Sequence, residues 1–177
     1  MKIAAQEAPR PKRARASEPA IVFTVSRQLF AIAADAVQEI RSTDSIAGAA
    51  SEFESADVPK VRHTIERVHR QYYVVNACTH FRLRVTRPTL VLILRQLRVA
   101  VLVDRIERMT ELPAVYDLPL AFSGDERHWY RGLTYLNDHV IPVVDPRGFL
   151  TPEDFRRLEG VPTVVANAHE WEGAASQ

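Results

Sequence analysis

Cys78 and His80 stand two apart in "CTH" and offer a thiol and an imidazole to a metal ion. A structural zinc site needs four such ligands in paired spacing. The remaining histidines (His63, His69, His128, His139 and His169) are scattered singly. A buried thiol beside a surface imidazole fits this pattern better than a metal site. Asp35, Asp104 and Asp145 each follow a strand-like apolar run. Carboxylates at such places accept backbone hydrogen bonds in the next turn, which gives them structural work before any acid–base role. The six glycines are isolated, so no loop cradles a phosphate, and no nucleophile elbow is present. Trp129 and Tyr130, just ahead of Gly132, read as core aromatics rather than an exposed anchor. The residue types therefore assemble no reaction centre: the expectation is no enzyme, no catalytic residue, no metal, no cofactor and no small-molecule substrate. Function falls to the surface.

The elements that would carry such a surface are written twice. "AIVFTV" and "QLFAIAA" flank Ser26-Arg27 as a hairpin. Asp35 then fits a helix N-cap with Gln38 at the capping-box position, and Val37 and Ile40, three apart, share one face of a short helix. A turn-rich loop over 42–59 and a strand "YYVV" ending at Asn76 follow. Sixty-nine positions on, the order recurs: "TLVLIL" and "RVAVLV" flank Arg95-Gln96, Asp104 caps, Glu107 takes the box position, and Ile106 and Met109 replace Val37 and Ile40. "YVVN" at 73–76 matches "PVVD" at 142–145 at the same offset. Two copies imply a pseudo-twofold pair of β units, not a solenoid. Thr151 and Pro152 then open a C-terminal helix over about 152–159, with Phe155 and Leu158 facing the β body.

Charge and composition set limits on the partners. Residues 1–18 mix proline with basic residues and show no apolar period, so a basic disordered tail is expected there. Residues 161–177 read as a second flexible tail, and the body from 19 to 160 as one unit with a first repeat about 20–87 and a second about 88–150. Formal net charge is +1, so no global field steers polyanions. A single cysteine allows no internal disulfide, and the apolar tract "TLVLILRQLRVAVLV" is broken by Arg95, Gln96 and Arg98. The cytoplasm is the expected location.

"IVFTVSRQLFAIAADAVQEIRS" (21–42) resembles the opening of CheW, the chemotaxis coupling protein family. "VLILRQLRVAVLVDRIERM" (91–109) resembles its internal second copy, and "YRGLTYLNDHVIPVVDPRGFL" (130–150) its closing segment. The resemblance implies a mainly β fold of two intertwined five-stranded barrels around a shared core. It implies a non-catalytic adaptor whose partners are the regulatory domain of a CheA-type histidine kinase and the cytoplasmic tip of methyl-accepting chemoreceptors. The membrane is then met only through receptors. Val37, Glu39 and Ile40 would lie at or beside the receptor groove, although Val37 equally suits core packing and Ile40 suits core packing better.

The family pattern carries glycines and an arginine ahead of its first "PVVD" strand. Here "HTIERVHRQYYVVN" puts His63 and His69 at the glycines, Val68 at the receptor-contacting arginine and Tyr73 at the proline. Arg67 or Arg70 would have to supply the guanidinium. Kinase-contact residues are not assigned by the resemblance. The competing reading is a basic-tailed barrel that binds nucleic acid through Arg62, Arg67, Arg70, Arg82 and Arg84. The neutral body and the lack of an aromatic stacking platform disfavour it.

Overall fold

The structure, a computed structural model, describes residues 17–52 and 55–160. The hairpin read at Ser26-Arg27 is formed by β1 (Glu18–Val25) and β2 (Gln28–Ala33). β3 (Val37–Ser42), α1 (Thr43–Ile46), β4 (Ala50–Glu52), β5 (Val61–Arg67), β6 (Arg70–Asn76) and α2 (Ala77–His80) complete the first half. The second half contains β7 (Leu90–Leu94), β8 (Val99–Val103), β9 (Arg105–Leu112), β10 (Tyr130–Leu136) and β11 (His139–Val144), and α3 (Pro152–Glu159) follows. None of the described helices is long and apolar enough to cross a membrane.

Two sheets result, and neither belongs to one half. Sheet A runs β10-β11-β2-β1-β9 and sheet B runs β3-β7-β8-β6-β5-β4. Exchanging first-half for second-half strands turns the order of sheet A into β5-β6-β8-β7-β3, which is sheet B without β4. Fine details repeat as well. Val143 pairs in parallel with Ala31, and Val74 with Ala100. A bulge admits Gln38 in β3 and Glu107 in β9, and another admits Arg62 in β5 and Arg131 in β10. All four residues respect the offset of sixty-nine. The fold is therefore mainly β, duplicated and intertwined.

Each sheet curls back on itself. The chain leaving β9 returns to exchange backbone hydrogen bonds between Tyr116 and Leu133 of β10, at 2.7 and 2.9 Å. Gly132 is required beside that junction, because a Cβ there would stand 2.3 Å from the Tyr116 carbonyl oxygen. In sheet B the chain leaving β3 passes through α1, with Ile46 buried, and returns as β4 against β5. Arg131 of β10 also grips Glu18 of β1 with two hydrogen bonds, 2.8 and 2.9 Å.

Burial follows from this enclosure. Every residue of β8 is buried because one face looks into sheet B and the other into a core shared by both sheets. The shared core gathers Phe23, Phe30, Ile32, Leu92, Val101 and Phe149. A smaller core fills sheet A around Val22, Ala31 and Ile141, and another fills sheet B around Ile65, Val91 and Ile93. β9, at an end of sheet A, is largely exposed and reads as alternating charges, which suits an edge strand.

One element differs from the sequence reading. Residues 37–40 and 106–109 are not helical: a single 3-10 turn over Ala34–Ala36 precedes strand β3. Asp35 does not cap it, since Ala33 holds the N-cap position without a side-chain bond. In the second half Asp104 leads straight into β9. Its carboxylate instead accepts the Ser26 N–H at 2.7 Å and the Thr86 hydroxyl at 2.6 Å, tying the first hairpin to the second half. Val37 and Ile40 nevertheless share a face, because the bulge at Gln38 adds one residue to a period of two.

α3 starts with a full capping box between Thr151 and Asp154. It lies against the first half. Phe155 meets Tyr73 edge-on at 5.9 Å, Leu158 is buried, and Lys60 bonds Asp154 at 3.0 Å.

Candidate functional site

The residues named for metal or acid–base chemistry are used internally. Cys78 is buried, its sulfur 3.1 Å from the Thr86 hydroxyl. Asp145 accepts the Arg147 N–H at 2.9 Å, as a turn cap does. His80 is buried rather than exposed, in contact with the rings of Phe81, Trp129 and Phe149. Burial pushes its pKa down to about 3, helped by nearby Lys60 and opposed by Asp154. Its Nε2 has no hydrogen-bond partner. No group of three His, Cys, Asp or Glu side chains placed to hold a metal occurs among the described residues.

The five residues named for receptor contact divide between two faces of sheet B. Val37 is 7% exposed and belongs to the shared core, which places it behind the surface rather than on it. Ile40, on the same side of β3 but farther along, is 37% exposed. Glu39 pairs with Ile93 and so faces the inside of sheet B at its rim. Arg67 lies two residues beyond buried Ile65 on β5, directly across from Arg70 on β6. Alternation places both arginines on the same inner face as Glu39.

There the curled sheet brings β3 and β5, which are not neighbours in strand order, into contact. Arg67 Nη2 donates to both oxygens of Glu39 at 2.8 and 3.2 Å. Arg41 Nη1 donates to the same carboxylate at 3.0 Å. Each of these three side chains remains about one-third exposed. Arg70 is exposed, with its guanidinium over the Tyr72 ring at 6.0 Å. One carboxylate thus stands between two guanidinium groups, and its own acceptors are engaged within the chain.

Between Arg67 and Arg70 the hairpin tip is Val68-His69, at φ 48° and 58°. Val68 is 84% exposed. A branched side chain in the left-handed region is strained, and the position is ordinarily glycine, asparagine or aspartate. The equivalent tip of β10 and β11 has Asn137-Asp138, which tolerate it. The sequence reading missed Arg41 as a member of the site. Its spacing of two from Glu39 becomes a signal once the segment is read as a strand.

The arrangement is confined to one half. At the offset of sixty-nine, Arg108 replaces Glu39 and Leu136 replaces Arg67. Core positions such as Val37 and Ile106 keep their type while this rim diverges, so the fold does not require the charges. Of the arginines named for nucleic-acid binding, Arg67 is held by Glu39 and Arg82 by Asp125 at 3.4 Å.

The family model of the CheW-like domain matches residues 19–154. The chain belongs to the CheW-like family. No curated protein matches the chain. Among solved structures it is similar to the scaffolding protein TtCheW from Thermoanaerobacter tengcongensis, with a TM-score of 0.64 at 12% identity. That alignment covers 85% of this chain and 96% of TtCheW. At such identity the likeness concerns the CheW fold and not its contacts.

Proposed function

We propose that this CheW-like protein is a non-catalytic cytoplasmic adaptor that couples chemoreceptors to a CheA-type histidine kinase. Family membership supports the general role, and the similar solved structure is itself of a scaffolding protein. The observation that carries the receptor side is the rim of sheet B. On its inner face it offers exposed Arg70 and the Arg67–Glu39–Arg41 cluster beside the projecting Val68, with half-covered Ile40 on the opposite face of β3. A helical receptor tip presents apolar and charged side chains at helical spacing, and a rim of mixed character fixes its register. Val68 replaces the family's contacting arginine, so Arg70 is the guanidinium that reaches the receptor while Arg67 is retained by Glu39.

The mechanism is thermodynamic. An adaptor that binds one receptor state better than another, and one kinase state better than another, links the two equilibria without bond chemistry. No cofactor is needed, and the membrane is approached only through the receptor. The test uses the full chain, a receptor-tip helical hairpin and a kinase regulatory domain, with each pair measured by calorimetry. The expected result is binding of both and a ternary complex by sedimentation. Arg70→Glu should weaken the receptor tip at least tenfold and leave the kinase domain alone. Binding to neither partner would remove the reading.

A further inference from the structure

The outer face of the β10–β11 hairpin is apolar and, among the described residues, uncovered. Tyr135 and Val140 are cross-strand partners, 55% and 53% exposed. Leu133 and Pro142 form the next pair on that face, each partly exposed. Tyr116, bridged to Leu133, lays its ring edge-on to Tyr135 at 5.5 Å. The first half shows what the fold itself requires there. The equivalent positions are Thr64, Glu66, Gln71 and Tyr73, polar except for Tyr73, which Phe155 of α3 covers. The second half has apolar side chains in all four places, and no helix among the described residues lies over them. An exposed apolar cluster of this kind marks a contact surface.

We propose that this face is the docking surface for the chain's own N-terminal segment, centred on "PRPKRAR" (9–15). Three observations choose this occupant. The first is chemistry: paired tyrosine rings bind guanidinium groups by their faces, and aromatic-lined surfaces take extended proline-containing segments. The second is charge. Residues 1–16 carry five lysines and arginines against one glutamate, while Asp138 sits in the hairpin turn. The third is reach. β1 begins at Glu18, which Arg131 of β10 holds through two hydrogen bonds. From Arg131 to Tyr135 is four strand steps, roughly 13 Å. The residues from Pro9 to Ser17 can extend about 30 Å. The basic run is therefore long enough to span the distance to the tyrosines from an anchor on the same strand.

The experiment compares the full chain, the chain lacking residues 1–16, and a full chain carrying Arg10→Glu, Lys12→Glu, Arg13→Glu and Arg15→Glu, by amide NMR. None of these changes touches the folded body. Both altered chains should shift Tyr116, Tyr135 and Val140, and leave the first-half mates Glu66 and Gln71 in place. Raising salt should produce the same shifts in the unaltered chain. Unmoved resonances at Tyr135 and Val140 would overturn the proposal. So would shifts at those residues that depend on protein concentration and not on the segment, since a second copy would then be the occupant.

Discussion

Glu39 on β3 and Arg67 on β5 are joined by two hydrogen bonds, although three strands separate them in the order of sheet B. The pair therefore holds the curl of the sheet and simultaneously aims the charged groups of its rim. A bidentate arginine–carboxylate pair is stronger than an ordinary surface pair, but solvent reaches both partners and screens it. A double-mutant cycle with Glu39→Gln and Arg67→Gln, followed by urea denaturation, should give a coupling energy of about 1 kcal/mol. A coupling indistinguishable from zero would show that the rim is held by backbone pairing alone.

The two apolar residues of β3 separate in their consequences. Val37 is in the shared core, so Val37→Arg should cost about 3 kcal/mol or more by burying an unpaired charge. Ile40 is at the surface, and Ile40→Arg should change stability by no more than about 0.5 kcal/mol. Thermal melts read the first effect and receptor-tip binding the second. Equal destabilisation by both substitutions would mean that Ile40 is also part of the core.

Most of the fold was legible because duplication doubles every weak signal. Strand runs such as "VAVLV" were unambiguous, and the matches at one offset demanded two equivalent β units. The misreading of 37–40 as helix has a specific cause. A bulge inserts Gln38 between Val37 and Glu39, so the apolar spacing becomes three, which a helix also produces. The site was harder to read. The family resemblance marked Glu39, Arg67 and Arg70, but the contact of Glu39 with Arg67 depends on the curl of sheet B, which brings together residues twenty-eight positions apart. The apolar outer face of β10 and β11 was not singled out in the sequence, since nothing local says which side will be covered.

Buried His80 gives stability a dependence on pH. In the unfolded chain its imidazole titrates near 6.5, whereas burial lowers the folded value to about 3. Between these values the unfolded state binds a proton that the folded state does not. Stability due to this group is therefore complete above about pH 6.5 and falls as pH drops, by up to about 1.4 kcal/mol per pH unit. The depressed carboxyl of Asp154 acts in the same direction only at lower pH, below its ordinary value of 3.8. Burial there opposes the shift and is outweighed by hydrogen bonds from Thr151 and Lys60. Denaturation at pH 7.5 and 5.0 should show this loss in the natural chain and much less of it in His80→Phe. Equal slopes in the two proteins would mean that the imidazole is solvated after all.

Val68 links strain to contact. Its left-handed backbone is costly for a branched side chain, and its exposure means that no internal packing offsets the cost. Val68→Gly should therefore stabilise the chain by about 1 kcal/mol, raising the urea midpoint with an unchanged slope. If the valine is kept for its contact with a receptor tip, the same substitution weakens that binding about fivefold or more as stability rises. Opposite signs in the two measurements are the expected result. A gain in stability with binding untouched would place the receptor contact on Arg70 and Ile40 and remove the hairpin tip from the interface.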